Sequence, residues 1–204
     1  MSDFLLENKL ADLRYERKYS FSLPDEFLLM PQIDLLGFKK SYPERQVNSL
    51  YFDTSEYDFY RQSIDGVFDR KKVRIRWYGE LVQKKYQAQL EVKYKQGELG
   101  GKKIEILDDF VLKENLERNL CKRFLNLEPT LITVYQRYYF EHFLKPVRLT
   151  VDIGLKTNGT EHDFGVLEIK YSEDFKDTKF IAEVANTLPL QLSQFSKYTL
   201  GVGG

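Results

Sequence analysis

The sequence predicts an α+β domain in which eight antiparallel strands close into a β-barrel with flanking helices. Alternation of apolar and polar residues recurs along most of the chain, whereas helical periodicity is confined to shorter intervening segments. The order of strands and helices is not the regular alternation of a parallel sheet, so antiparallel pairing is expected. Eight strands are enough to close a barrel.

The predicted strands lie near residues 13–21, 45–53, 69–79, 86–96, 101–107, 131–143, 147–157 and 164–172. Helical periodicity appears near residues 3–12, 25–36, 55–63, 109–125 and 178–188. In the fourth helical segment an apolar residue recurs every four positions from Leu112 to Phe124, and Asp108 is placed as its N-cap. We expect one domain over residues 1–204, because no linker, low-complexity tract or repeat divides the chain.

The composition excludes several classes of function. The 31 basic and 31 acidic residues balance, so no whole-molecule field attracts nucleic acid or a membrane surface. Cys121 is the only cysteine and His142 and His162 are the only histidines, which excludes a disulfide framework and an ordinary zinc site. A bound metal would therefore need oxygen ligands. The chain has no long apolar run and no signal-like N-terminal segment, so we expect a soluble, cytoplasmic protein.

Six predicted strands carry charged or hydrogen-bonding residues two positions apart. Such residues share one face of a strand, roughly 6.5–7 Å apart along it. They are Glu16 and Lys18, Arg74 and Arg76, Glu91 and Lys93, Tyr135 and Arg137, Arg148 with Thr150 and Asp152, and Glu168 and Lys170. Seven of them are cations and four are carboxylates.

This charged face has two interpretations, and periodicity alone leaves both open. It can lie in water, as in an ordinary antiparallel sheet with one solvated face. It can instead line the interior of the barrel, where arginine and lysine bind phosphate oxygens and the carboxylates hold a divalent metal. Buried cations without an anion would be very costly, so the second interpretation implies an occupied or water-filled tunnel.

Eight segments, taken in order, resemble one known family. They are Tyr15-Glu16-Arg17-Lys18, Asn48-Ser49-Leu50-Tyr51-Phe52-Asp53-Thr54, Arg74-Ile75-Arg76-Trp77-Tyr78-Gly79, Glu91-Val92-Lys93, Tyr135-Gln136-Arg137, Arg148-Leu149-Thr150-Val151-Asp152, Leu167-Glu168-Ile169-Lys170 and Phe195-Ser196-Lys197-Tyr198. Between Arg14 and Gly201 the chain resembles the triphosphate tunnel metalloenzymes. Within them it is most similar to the polyphosphate polymerase domain of the vacuolar transporter chaperone (VTC) proteins.

The resemblance implies a polymerase that transfers the terminal phosphoryl group of ATP to polyphosphate. The catalytic residues implied are Lys18, Arg74, Arg76, Lys93, Arg137 and Arg148, and the implied substrate-binding residues are Lys103, Ser196, Lys197, Glu16, Lys170 and Tyr135. Glu168 would hold Mn²⁺ or Mg²⁺. The family has a further lysine on the strand after Lys93. Lys102 and Lys103 both compete for that position, and Lys103 is preferred.

One departure bears on the reaction. The hydrolytic branch of the family begins with two glutamates two positions apart, and Arg14 stands where the first of them would be. This disfavours a triphosphatase or cyclase. Hydrolysis of triphosphate or of a nucleoside triphosphate remains the first alternative, and a non-catalytic polyphosphate-binding domain remains the second. The expected partners are ATP, triphosphate or polyphosphate, with no nucleic acid, and a separate protein would provide any membrane attachment.

Overall fold

Ten strands, all paired antiparallel, make up the sheet within the described residues. The computed structural model describes residues 14–82, 86–97, 99–112, 126–175, 178–188, 190–193 and 195–203. The strands are β1 (Arg14–Ser22), β2 (Phe38–Asp53), β3 (Asp69–Tyr78), β4 (Tyr86–Gln96), β5 (Leu99–Phe110), β6 (Glu128–His142), β7 (Arg148–Thr157), β8 (Thr160–Glu161), β9 (Phe164–Tyr171) and β10 (Gln191–Ser193). Their β-branched and aromatic residues fit the pleated, half-buried surface of a sheet.

The strand order is β10-β1-β5-β4-β3-β2-β6-β7-β8, and β9 pairs with both β1 and β7. β1 meets β5 only through the pairs Arg14–Gly100 and Tyr15–Leu99. The predicted antiparallel α+β class is therefore confirmed, but a closed eight-stranded barrel is not, since the sheet has ten strands. The additional strands, β8 and β10, have two and three residues, which is too short to show alternation in a sequence.

Two strands are longer than predicted. β2 begins at Phe38, well before the predicted start at residue 45. The register of its pairing with β6 shifts between Lys40 and Tyr42 and again between Tyr42 and Arg45, around Pro43. These irregularities break the alternation that would have identified the first half of β2. β5 runs to Phe110, so Asp108 lies in this strand and is not a helix N-cap.

Four helices accompany the sheet in the described part of the chain. They are α1 (Glu26–Leu35), α2 (Asp58–Ile64), α3 (Lys179–Thr187) and α4 (Lys197–Gly203). The predicted helices near residues 25–36, 55–63 and 178–188 are confirmed within a few residues, whereas α4 was not predicted. The predicted helix at 3–12, residues 113–125 of the fourth predicted helix and Cys121 lie outside the described residues. No described helix has the length and apolar character needed to span a membrane.

The apolar faces of the strands pack outward against the helices. Leu149 and Val151 of β7 and Leu167 of β9 are buried in one cluster with residues of α1 and α3. The helical residues of this cluster include Leu29, Ile33, Ile181 and Val184. A second cluster joins Val73, Ile75 and Trp77 of β3 to Leu90 and Val92 of β4 and to Phe59 of α2. Both halves of the sheet therefore point their charged face away from α1, α2 and α3.

The charged face is buried as well. Glu91 and Asp152 are 0% and 1% exposed, and Arg76 is 6% exposed. Contacts across this face join strands that are not neighbours. Arg76 of β3, for example, donates to the Tyr135 hydroxyl of β6 at 3.2 Å. The sheet thus curls around its charged side chains, and the solvated-face interpretation is wrong for these residues.

Candidate anion-binding site

Two arginines of β3 form the first part of the charged face. Arg74 donates from Nε to Glu91 Oε2 at 2.7 Å and from Nη1 to the Tyr51 hydroxyl at 3.0 Å. Arg76 donates to Ser49 Oγ at 3.3 Å and has Nη1 3.7 Å from Glu91 Oε2. Burial alone would raise the pKa of Glu91, but Arg74, Arg76 and Lys102 hold that pKa well below its usual range. Glu91 is therefore an ionised anchor for the arginines.

A second ion-pair cluster joins β6, β7 and α4. Arg137 holds Asp152 in a bidentate pair, with Nε–Oδ1 at 2.6 Å and Nη2–Oδ2 at 2.7 Å. Lys197 Nζ donates to the same Oδ2 at 2.6 Å and lies 4.4 Å from the centroid of the Tyr135 ring. Burial opposes ionisation of Asp152, yet Arg137 and Lys197 lower its pKa to about 2. Asp152 thus fixes the positions of two cations that face Tyr135.

Three lysines crowd together beside these clusters. Lys93 Nζ lies 2.6 Å from Glu16 Oε2, whereas Lys18 Nζ has a carbonyl oxygen, that of Phe195, at 3.5 Å. Lys72 Nζ donates to the neutral Ser196 hydroxyl at 2.6 Å. Burial and the charges of Lys18 and Lys93 lower the pKa of Lys72 to about 7. This group of lysines has more positive charge than the neighbouring carboxylates neutralise.

Glu168, the residue predicted to hold a metal, is a buried carboxylate beside Lys170. Its side chain is buried opposite Thr150 in the β7–β9 register, and Lys170 Nζ lies 3.2 Å from its Oε1. Burial opposes its ionisation, but Lys170, Lys18 and Lys93 hold its pKa well below the usual range. The buried Thr150 hydroxyl finds no hydrogen-bond partner among the described residues.

These oxygens fit a hard divalent cation that also binds phosphate. Magnesium is often held by one or two carboxylates together with water and substrate phosphates. Among the described residues no three His, Cys, Asp or Glu side chains cluster as a self-sufficient metal site. A metal at Glu168 would therefore need further oxygens, from water or from a bound ligand.

The family model of the VTC domain matches residues 13–203, which is nearly the whole chain. The chain belongs to the VTC domain family. No curated protein sequence matches it significantly.

Solved structures place this VTC domain in the triphosphate tunnel fold. The PH1819 protein of Pyrococcus horikoshii OT3 has 14% identity and a TM-score of 0.59, over 92% of this chain and 95% of its own. A candidate adenylate cyclase from Bacillus halodurans has 16% identity and a TM-score of 0.59, over 90% and 94%. Another from Vibrio parahaemolyticus has 12% identity and a TM-score of 0.56, over 92% and 98%. At these identities the likeness shows the fold alone.

The VTC domain brings most of the predicted site residues onto the buried charged face. We call seven residues of this face the central cations, of which six were predicted and Lys72 was not: Lys18, Lys72, Arg74, Arg76, Lys93, Arg137 and Lys197. Glu16, Tyr135, Glu168, Lys170 and Ser196 lie among or beside them.

Two predicted residues are placed differently. Arg148 shares the charged face but lies at its end, where its side chain is 59% exposed and contacts Glu141 Oε1 at 3.0 Å. Lys103 pairs with Val92 and so lies on the opposite face of β5, which corrects the preference for it. Lys102 pairs with Lys93 on the charged face and contacts Glu91 Oε1 at 3.0 Å.

Sequence reasoning missed two cations of the site. Lys72 lies two residues before Arg74, so the same alternation that identified Arg74 and Arg76 carried the signal for it. Lys102 could not be chosen over Lys103 without the register between β4 and β5. The side chain of Arg14, on which the argument against hydrolysis depended, lies outside the described residues.

Proposed function

We propose that this VTC domain is a metal-dependent polyphosphate polymerase that transfers the terminal phosphoryl group of ATP to a polyphosphate chain. The chain would run through a tunnel that the curled sheet forms by closing along its short β1–β5 seam. The observation that carries the proposal is the buried excess of cations, because lysines crowded in this way need a polyanion. Membership of the VTC domain family supports polyphosphate as that polyanion.

The central cations would bind and align the reacting phosphates. Arginine pairs bidentately with phosphate oxygens, and lysine adds a mobile point charge. Because Asp152 and Glu91 fix Arg137 and Arg74 in place, these donors are preorganised for a phosphoryl group. Positioning and charge neutralisation supply most of the catalysis of phosphoryl transfer.

The phosphoryl transfer needs no protein residue to accept a proton. The bond between the terminal phosphorus and its bridging oxygen breaks, and ADP leaves with that electron pair. A terminal oxygen of the polyphosphate acceptor, already anionic, forms the new bond to phosphorus. Glu168 would hold Mn²⁺ or Mg²⁺, which would neutralise negative charge on the phosphate oxygens.

The low pKa values of Glu91 and Asp152 favour transfer over hydrolysis. Activation of water needs a base whose pKa lies near the working pH, and a carboxylate held by two cations is a weak base. The weak basicity of these carboxylates supports polymerisation over a triphosphatase without reference to Arg14. We also propose a cytoplasmic setting, where ATP is available, and attachment to a membrane only through a separate protein.

The decisive experiment incubates the purified protein with ATP and Mn²⁺ and follows polymer and free phosphate together. We expect ADP and a product that an exopolyphosphatase degrades, with little orthophosphate released before that digestion. Stoichiometric orthophosphate without polymer would assign the protein as a hydrolase. Binding of polyphosphate without any turnover of ATP would assign it as a non-catalytic polyphosphate-binding domain.

A further inference from the structure

The β3–β4 pairing places like charges directly opposite each other on the charged face. Arg70 pairs with Lys95, and Lys72 pairs with Lys93. On the other side of β4, Lys93 pairs with Lys102. Like charges directly opposite in an antiparallel pair destabilise a sheet. An arrangement repeated over successive pairs therefore indicates a role other than stability.

The outermost pair is the least neutralised. Lys93 contacts Glu16 and Lys102 contacts Glu91, so two of the three inner lysines have a carboxylate, whereas Lys72 contacts the neutral Ser196 hydroxyl. Within the described ranges, neither Arg70 nor Lys95 forms an ion pair with a carboxylate. Arg70 Nη1 instead donates to the backbone carbonyl of Val67 at 2.7 Å.

Lys95 also faces the interior of the site. Its side chain is partly buried, and burial together with the charges of Arg70 and Lys18 lowers its pKa. Lys95 lies two residues after Lys93, whose Nζ contacts Glu16 of β1 at 2.6 Å, so both side chains are on the side where the sheet curls. The charge of Arg70 likewise reaches Lys72. The outer pair is thus electrostatically continuous with the central cations.

We propose that Arg70 and Lys95 form an extension subsite for phosphate units of a linear inorganic polyphosphate beyond those held by the central cations. The subsite lies one side-chain repeat, roughly 6.5–7 Å, beyond the Lys72–Lys93 pair along the strands. The proposal rests on the proposed function, since it takes the polymer to lie along the same face. It adds a direction, with the chain passing the start of β3 and the end of β4.

The pairs Arg70–Lys95 and Lys72–Lys93 form a row of cations that fits a linear polyphosphate better than a nucleic acid. The row continues without interruption into the partly buried Lys72 and Lys93, where an unbranched phosphate chain can follow it. A nucleic acid carries a sugar and a base at every phosphate, which would have to enter the same buried space. The row of cations therefore favours a ligand with closely spaced phosphates and no side groups.

The test compares the affinity for tripolyphosphate with that for a longer linear polyphosphate, in the full chain and without ATP. We expect the double variant Arg70→Ala/Lys95→Ala to lose at least about tenfold in affinity for the longer polymer, as expected for lost charge-assisted contacts. Its affinity for tripolyphosphate should change less than about twofold. Its melting temperature should not fall, because the change removes a like-charge pair.

A matched control removes two exposed cations elsewhere. Lys40→Ala/Lys156→Ala lowers the net charge equally, and both lysines contact exposed acids on the outer side of the sheet. Equal losses in the two double variants, equal losses for both ligands in the Arg70/Lys95 variant, or unchanged affinity for the longer polymer would each overturn the subsite. A single-stranded RNA oligonucleotide that displaces the polymer and depends equally on Arg70 and Lys95 would also overturn it.

The outcome is separable from the proposed function. Polymer synthesis from ATP with no chain-length effect of the double variant would reject the subsite alone. A chain-length effect in a protein that makes no polymer would retain the subsite and reject the polymerase.

Discussion

At the scale of single residues, the charged face contrasts paired and unpaired ions. Arg74 and Arg137 each have a buried carboxylate, so their charges are compensated within the protein. Lys72 is also largely buried, but its partner is the uncharged Ser196 hydroxyl. The two kinds of residue should respond differently to ligand. The paired arginines are preorganised, whereas Lys72 gains a counter-charge only when an anion binds.

Glu168→Gln should abolish metal-dependent turnover while leaving the fold intact. The amide keeps the shape of the side chain but removes the negative charge that would hold a divalent cation. We expect no ATP-dependent polymer in Mn²⁺ or Mg²⁺, and an unchanged circular dichroism spectrum. Asp163→Asn, an exposed acid nearby in sequence, is the control and should retain activity. Wild-type turnover by Glu168→Gln would contradict the assignment of the metal to this residue.

Affinity for tripolyphosphate should fall as pH rises above 7, because Lys72 then loses its proton in the free protein. The pKa of Lys72 is lowered to about 7, and a bound polyanion favours the protonated form. We expect a loss of about tenfold or more between about pH 7 and pH 9, measured by titration calorimetry.

Lys72→Arg provides the control for this pH dependence. Its guanidinium stays charged throughout the range, so the affinity of this variant should be much less sensitive to pH. Titration of the ligand itself affects both proteins equally. Parallel pH profiles for the two proteins would exclude Lys72 as the titrating group.

At the scale of elements, strand alternation predicted which residues share a face but not which strands adjoin. The alternation in β3 correctly placed Arg74 and Arg76 on one face and Ile75 on the other. It could not choose between Lys102 and Lys103, because a one-residue change of register moves every side chain to the other face. That register depends on the connection between β4 and β5. The apolar–polar alternation of each strand is compatible with either Lys102 or Lys103 on the charged face.

The helix α4 shows a second limit of prediction. It spans seven residues, includes Gly201 and Gly203, and has too few turns to show helical periodicity. It is held by tertiary contacts, since the Tyr198 hydroxyl donates to Asp53, whose carboxylate also accepts from backbone amides of α2. A side chain at Gly201 would collide with Leu131 at 2.6 Å. The contacts that bring Lys197 into the site therefore cannot be predicted from the local sequence.

Asp152→Asn should destabilise the protein by about 2 kcal/mol at neutral pH and flatten its acid unfolding profile. The pKa of Asp152 is about 2 in the folded state and 3.8 as a reference value, so its ionised form favours folding. This contribution is complete above about pH 5 and is lost as pH falls through the folded pKa. Urea unfolding across this range measures it.

A pair on the outer surface serves as the control for Asp152. Glu161→Gln removes the partner of Lys156 at the exposed β7–β8 turn, and it should change stability little because water screens the pair. If both substitutions shift the unfolding midpoint equally, Asp152 does not act as a buried anchor joining β6, β7 and α4.

At the scale of the whole molecule, a net charge of zero conceals a strong separation of charge. The 31 acidic residues balance the 31 basic ones, yet the carboxylates of the charged face are fewer than its cations. The acidic excess must therefore lie elsewhere in the chain. Composition alone could reveal neither the excess of cations on the charged face nor the excess of acids elsewhere. Both depend on which strands come together around the interior of the sheet.

Tripolyphosphate should raise the melting temperature well above the value in sulfate at equal ionic strength. An anion that binds only the folded state relieves the repulsion among the central cations, and at one hundred times its Kd it stabilises by about 2.7 kcal/mol. For a chain of this length that corresponds to a rise of roughly 5–10 °C. Sulfate can occupy single positions but cannot span the several strands that contribute cations.

The variant Arg76→Ala separates specific binding from general salt effects in this experiment. Arg76 is buried and held by Ser49 and Tyr135, so its removal deletes one donor from the centre of the site. The rise caused by tripolyphosphate should shrink in this variant, while the effect of sulfate should be nearly unchanged. Equal melting temperatures in tripolyphosphate and sulfate for the wild-type protein would mean that the carboxylates already neutralise the charged face. The curled sheet would then be a structural arrangement and not a polyanion-binding site.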